Sequence, residues 1–414
     1  MQNPRVMIRP SLLLLSLLTT LVSCDAQRVS KWEGDMDFWL AEVKKQHYLY
    51  RSKDLPPGFQ AQFQKVKSGI SSYSDQRVLI ELLGLSAMLG DGHTYVLPWG
   101  ARTVETKTLP LRFYLFSDGL FVIDAQQGHE AWIGKKVIQF GTISSDEIMK
   151  RVARFISRDN DQGVNWIGPF MLSLEGMLQA LGVEGNGTYT LTFDNGSGGR
   201  MAQSFVVTTF QPVRGIPKLI PPKASPPLYL QHVAQTYWIK SLKSNGALYV
   251  QFNQVMNDPG ESLAQFSRRL SDSIAVQSPK KLIIDVRHNN GGNADLLEPL
   301  LSALQQFKTS GKGEIYILTG RNTFSAAQIF ISKADKLLKP VFAGELSSSK
   351  PNFVGEENGV ELPSSGAICS ISNRYHESIP GDSRQGIDPQ VYILLTSTDY
   401  FAGRDPVMEA ILVK

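Results

Sequence analysis

Gly313-Glu314-Ile315-Tyr316-Ile317-Leu318-Thr319-Gly320-Arg321-Asn322-Thr323-Phe324-Ser325-Ala326-Ala327 passes from a strand pattern to a helix pattern within fifteen residues. Ile315 to Leu318 is a brief, branched, apolar run bounded by glycine, as in a buried strand. Beyond a polar turn, Ser325 is followed by Ala326, Ala327, Ile329, Phe330 and Ile331, which suit a buried helix. The serine therefore falls at a strand-to-helix junction, at or near the first helical turn. Helix N-termini carry unpaired N–H groups and partial positive charge, both favourable to a developing oxyanion. Small residues directly after the serine let a carbonyl approach, as an acyl-transfer nucleophile requires. Serine is also a favoured helix N-cap, and this segment alone leaves both roles open.

About forty residues upstream, Lys281-Leu282-Ile283-Ile284-Asp285-Val286 has the pattern of a second buried strand. It runs into Arg287-His288-Asn289-Asn290-Gly291-Gly292, and Asp295, Leu296, Leu297, Leu300, Leu301 and Leu304 then trace a helix face. Adjacent glycines permit backbone angles closed to other residues and present bare N–H groups. If the two strands are parallel neighbours, both turns open at one sheet edge, where α/β proteins place ligands. The amide of Gly291 or Gly292 and that of Ala326 would then flank one oxyanion site. A sharp structural turn would explain the glycines equally well.

Three blocks in this order resemble the S41 family of serine peptidases, the C-terminal processing (tail-specific) enzymes, including their tricorn-like branch. They are Gly90-Asp91-Gly92-His93-Thr94, Asp285-Val286-Arg287 through Gly291-Gly292, and Thr323-Phe324-Ser325-Ala326-Ala327. Gly344-Glu345 through Lys350-Pro351-Asn352, Gly386-Ile387-Asp388-Pro389 and Gly403-Arg404-Asp405-Pro406 extend the likeness over nearly the whole chain after its leader. The resemblance implies Ser325 as nucleophile, polypeptide as substrate and no cofactor. It also implies a crotonase-like (ClpP/crotonase) spiral core in place of the generic α/β core that alternating strands and helices indicate. Pattern alone does not separate that spiral from a doubly wound sheet.

The chain has 414 residues, 42% hydrophobic and 19% charged, enough for two or three domains and a large core. Arg5 and Arg9 precede the apolar run Leu12 to Leu18 and then Leu21-Val22-Ser23-Cys24, which reads as a secretory leader over residues 1–23. Leu-Val-Ser-Cys is similar to a bacterial lipobox, with Cys24 the lipidated first residue of an envelope lipoprotein facing the periplasm or the exterior. With only Cys24 and Cys369 present, a lipidated Cys24 leaves no intramolecular disulfide, and Cys369 reads as a buried small hydrophobe. Formal net charge is +4, and removing Arg5 and Arg9 with the leader leaves +2 without a basic cluster. That balance argues against nucleic-acid binding.

Residues 24–100 read as an N-terminal helical cap, with Phe38, Leu40, Val43 and then Leu79, Leu82, Leu83, Leu85 and Met88 at helical spacing. Residues 105–210 read as an α+β module. Leu111, Phe113 and Leu115 alternate before a Ser117-Asp118-Gly119 turn, and Leu120 to Ile123 returns as a hairpin. A strand at Val137–Phe140, one helix opened by Ser144 and Glu147, and a second hairpin around Asn195-Gly196 complete it. Strands around a single helix resemble the PDZ-like module common in this family. Residues 211–230 form a proline-rich connector, and 231–414 the catalytic core.

A serine hydroxyl needs a proton acceptor within hydrogen-bond reach. His93 sits in a short glycine-containing turn and corresponds to the general base of the tricorn-like branch. Lys350, twenty-five residues after Ser325, matches the offset of the lysine base in the processing peptidases. A lysine base needs burial to shed its proton, and Ser347-Ser348-Ser349-Lys350-Pro351-Asn352 is a polar loop, so His93 is preferred. The resemblance nominates Asp382 to orient the histidine, one residue out of register, and Asp91 either substitutes or shapes the turn. The tricorn-like serine just before the histidine is replaced by Gly92. Asp285 and Arg287 read as an ion pair bracing the glycine turn. The six histidines lack zinc-site spacing, and no phosphate-cradling loop is present. The expected activity is a serine endopeptidase; a degenerate lipoprotein binding a peptide or an apolar ligand is the alternative. A CoA-thioester enzyme of crotonase type would share the paired amides but leave the serine idle.

Overall fold

The computed structural model describes residues 10–196, 198–209, 219 and 226–413, with side chains from Asp25 onward. The Cys24 side chain and most of the proline-rich connector lie outside the described residues. Among the described residues no helix is long and apolar enough to cross a membrane.

The C-terminal unit is a six-stranded sheet in the order Tyr237–Leu242, Ala247–Phe252, Lys281–Asp285, Glu314–Thr319, Val341–Gly344, Val391–Tyr392. The first pair is antiparallel and every other pair is parallel. The two strands read from sequence are thus parallel neighbours, with Leu282 opposite Ile315 and Ile284 opposite Ile317. Leu282, Ile284, Ile315 and Ile317 pack under the helices Leu263–Gln277, Glu298–Thr309 and Ala326–Leu338. Ile283, Tyr316 and Leu318 point to the other face, against Val407, Met408 and Ile411 of the helix Pro406–Val413. Both faces are covered, which explains the unbroken apolar runs in these strands. Strand order follows chain order from Ala247 to Gly344, and the three crossover helices share one face. A doubly wound sheet would put them on both.

The helical cap and the α+β module share a single core. Trp32, Met36, Trp39 and Val43 of the first helix, Pro10–Gln46, recur at spacings of three and four and are buried. Phe38, expected on that face, is 37% exposed, so the buried stripe includes its neighbour Trp39 instead. The stripe joins residues of the helices Phe59–Gly69 and Asp75–Ala87 and of the strands Leu111–Phe116, Thr188–Asp194 and Arg200–Val206 in one cluster. Both hairpins form as read, and Ser144 caps the helix Ser145–Val152 by accepting the Glu147 N–H at 3.2 Å. The single helix expected there is accompanied by two more, Gln162–Met171 and Glu175–Ala180.

A long antiparallel hairpin, Asn352–Glu361 with Ile368–Glu377, crosses between the units. Its second strand pairs with Tyr95–Val96, and Leu362, Ala367, Cys369 and Ile371 enter the N-terminal core. At its tip the amides of Ser364 and Ser365 each donate to the buried Asp35 carboxylate at 2.8 Å.

Candidate active site

Parallel strands deliver their C-terminal turns to one sheet edge, and hydrogen bonds sew these turns together. The Phe324 N–H donates to the Asn289 carbonyl at 3.1 Å, and the Thr323 hydroxyl to the Val286 carbonyl at 2.9 Å. The Ser348 N–H donates to the Thr323 carbonyl at 3.0 Å. Asn289 anchors the glycine turn by donating to the Phe252 carbonyl at 3.0 Å. Behind it, Arg287 bridges Asp285 and Asp405 at 2.6 and 2.8 Å, the structural ion pair read from sequence with a third member added.

Ser325 occupies the N-cap position of the helix Ala326–Leu338, yet its hydroxyl makes no capping bond. Its backbone lies at φ 55°, ψ −125°, a conformation costly for a residue with a side chain, by about 1–3 kcal/mol, and typical of functional sites. The ordinary capping role therefore does not account for this serine. Gly291 packs directly over it. A methyl group at 291 would stand 2.7 Å from Ser325 Cβ, 3.1 Å from its Oγ and 2.9 Å from the Ala326 nitrogen. Glycine keeps the space between hydroxyl and amide clear. Gly291's own N–H is donated to Asn289 Oδ1 at 3.0 Å, so its expected service as an oxyanion donor is corrected: that amide is already spent. Gly292 lines the cleft beside Ser325 and Ala326, and a side chain there would collide with the Val255 carbonyl at 2.1 Å.

His93 enters the same cleft from the N-terminal unit. Its turn is built on Asp91, whose Oδ1 accepts the N–H groups of His93 and Thr94 at 2.9 and 2.7 Å and the Ser372 hydroxyl at 2.6 Å. Asp91 Oδ2 meets His47 Nε2 at 2.9 Å, while His47 Nδ1 accepts the Leu49 N–H at 3.1 Å. Burial works against the Asp91 charge, but the His47 and Ser372 hydrogen bonds prevail and hold its pKa below the ordinary carboxylate value. The His93 ring lies between Phe324 and Phe353, with centroids 4.4 and 5.2 Å away. It is 2% exposed, and neither ring nitrogen has a hydrogen-bond partner. Burial lowers its pKa to about 4, against the opposing pull of Asp91 and with a small push from His376.

The cleft has a volume of about 900 Å³ and holds His93, Ser325, Ala326 and Gly292 together. Trp99, Phe155, Trp166 and Phe170 give it an apolar wall, and Glu356, Glu357, Arg374 and His376 lie at its polar end. Lys350 and Asp382 are not among its lining residues. Asp382 is held by Arg384, with N···O distances from 2.7 to 3.2 Å, and Arg384 also bridges to Asp335 at 2.7 Å. Lys350 lies half-buried close to Asp159. Sequence reasoning missed His47, Asp159 and Ser349, which surround the two key residues. Each is a common polar residue with no spacing signal of its own.

Solved structures share this architecture. Mature CPAF complexed with lactacystin superposes with a TM-score of 0.62 at 14% identity, over 94% of this chain and 97% of that one. A second structure of mature CPAF gives 0.62 at 14% identity, over 94% and 96%. A putative S41 protease from Bacteroides fragilis NCTC 9343 is more loosely similar, with a TM-score of 0.38 at 14% identity over 90% and 96%. No protein-family model and no curated protein matches the sequence. The fold is shared with mature CPAF over nearly the whole length of both chains. At these identities the likeness concerns the fold, and chemistry has to be argued from the site.

Proposed function

We propose that the chain is a serine-type peptidase that hydrolyses polypeptides outside the cytoplasm through an acyl-enzyme on Ser325. The observation that carries this reading is the strained, non-capping Ser325 at a helix N-terminus, with an unpaired buried imidazole in the same cleft. Ser325 Oγ attacks the peptide carbonyl as its proton passes to His93, and the oxyanion is taken by the amides of Ala326 and Gly292. The imidazolium then protonates the leaving amine, and water reverses the sequence. His93 does not touch the hydroxyl at rest, so the cycle includes a shift of the ring or a bridging water. Lys350 is the reserve base. The order of the parallel strands, with all crossover helices on one face, supports a crotonase-type spiral core. The hairpins at 111–125 and 188–206 support a PDZ-like origin for the α+β module.

An active-site-directed fluorophosphonate should label wild type at Ser325, and unfolded polypeptide should be cleaved. Ser325→Ala should abolish both, and His93→Ala should slow both by about a hundredfold or more, in the range for acid–base groups. Lys350→Ala should retain most of the rate. Folded wild type that takes up no label and cleaves nothing would end this reading. The closed aromatic sandwich around His93 favours one second reading, a catalytically degenerate peptide-binding protein. It predicts binding of unfolded polypeptide that Ser325→Ala leaves intact.

A further inference from the structure

Asp159 belongs to Arg158-Asp159-Asn160-Asp161, which looks in sequence like a solvated turn, yet its side chain is buried behind the cleft wall. Oδ1 accepts the Gly92 N–H at 2.8 Å, and Oδ2 is buried without a hydrogen-bond partner. A methyl group on Gly92 would stand 3.2 Å from Oδ1 and 2.9 Å from the Phe324 ring. The residue directly before His93 is therefore a glycine beside a carboxyl. On its other side Asp159 neighbours Ser349 and Lys350. The Ser349 hydroxyl in turn accepts the Ser325 N–H at 3.3 Å. Asn160 pins the segment to the same loop by donating to the Ser347 carbonyl at 2.9 Å.

We propose that Asp159 is a positioning residue that sets the His93 turn in register with the Ser325 loop, through Gly92 on one side and Ser349 on the other. This rests on the peptidase reading of Ser325 and His93. Protonated on Oδ2, the carboxyl has a donor for the Ser349 hydroxyl while Oδ1 still accepts from Gly92, so one side chain grips both loops. Ionised, Oδ1 still accepts from Gly92 and Oδ2 can take the Ser349 O–H, so both states grip both loops, and ionisation adds an anion beside Asp91. Burial lifts its pKa to about 7 against the Gly92 hydrogen bond; the Asp91 charge adds to the lift, and Ser349 and Lys350 oppose it. The charged or titratable groups around it are Asp91 and His93 on the turn, Lys350 on the loop, and Arg158 and Asp161 on its own segment, the last two joined at 3.3 Å.

The test uses the full chain with glycine and serine amides labelled with 15N. In wild type the Gly92 and Ser325 amide resonances should move together through one midpoint near pH 7, and Asp159→Asn should abolish both transitions. The asparagine keeps an acceptor for Gly92 and gains a fixed donor for Ser349. Its fluorophosphonate labelling rate should therefore stay within about twofold of wild type across the pH range. Asp159→Ala, which grips neither loop, should label about tenfold or more slowly at every pH. A Ser325 amide that ignores the Gly92 transition, or an Asp159→Ala variant that labels at the wild-type rate, overturns the proposal. Wild type that never labels would end the peptidase reading instead, and the paired resonances would still decide whether Asp159 joins the two loops.

Discussion

Burial and two phenyl faces keep the His93 imidazole neutral, the form that accepts a proton. The same burial has a measurable consequence for stability. In the unfolded chain this group binds a proton below about pH 6.5, but in the folded protein only near pH 4. The neutral buried ring is therefore fully compatible with folding above pH ~6.5, and stability drains away as pH falls toward 4, by on the order of 3 kcal/mol. Urea unfolding of wild type and His93→Phe should diverge over that window, with the variant losing less. A difference between them that stays constant from neutral pH to about pH 4.5 would show that the ring titrates normally. Asp159 acts in the opposite sense. Its folded pKa is raised, so the stability it leaves intact in acid is lost as pH climbs toward 7, and Asp159→Asn should gain on wild type in that direction. Ser325 and His93 were legible because glycine and alanine flank them in recognisable turns. Asp159 was not, because burial of a charged turn is decided by helices packed over it, which no local pattern records.

At the scale of elements, the six-stranded sheet was legible because both of its faces are covered. Lys281–Asp285 and Glu314–Thr319 are continuous apolar runs, and no surrounding context was needed to read them. The hairpin Asn352–Glu361 with Ile368–Glu377 was missed for the converse reason. Glu356, Glu357, Asn358 and Gly359 break its apolar pattern because that stretch is largely exposed. Helix Gln162–Met171 was missed because Gly163, Gly168 and Pro169 argue locally against a helix, while Trp166 and Met171 are buried by the tertiary fold. The C-terminal helix Pro406–Val413 packs on the sheet through Val407, Met408 and Ile411 and is anchored at its start by one carboxylate. Asp405 accepts the Met408 N–H at 3.1 Å as a cap and pairs with Arg287 below the glycine turn. Asp405→Ala should destabilise the protein by about 3–5 kcal/mol, combining a lost cap with a buried guanidinium short of one partner. Asp405→Asn, which can still cap, should cost less. Equilibrium urea unfolding measures both, and an alanine variant within about 0.5 kcal/mol of wild type would mean that Asp285 alone satisfies Arg287.

Across the whole molecule, the candidate site exists only where the two units meet. His93 comes from the N-terminal unit and Ser325 from the C-terminal one, and the polypeptide joining them runs through the proline-rich residues 211–230. That connector is not what holds the units in register. The hairpin strand Ile368–Glu377 pairs with Tyr95–Val96, and its tip is fixed by Asp35. Arg321 adds a second tie, donating to the Leu115 carbonyl at 2.7 Å while paired with Glu345. Leu362, Ala367, Cys369 and Ile371 bury apolar surface in the N-terminal core, and the fully buried Leu362 and Ile371 side chains contribute about 1.5–3 kcal/mol each. Cutting the connector should therefore leave the particle whole. With a specific protease site placed between Pro221 and Pro222, complete cleavage should give two fragments that co-elute on gel filtration and still take fluorophosphonate at Ser325. Adding Ile371→Asp, a charge in the shared core, should make the nicked fragments separate while the uncut variant remains a single chain. If nicked wild type falls apart without that substitution, the connector and not the hairpin holds His93 opposite Ser325, and the junction is weaker than its buried contacts imply.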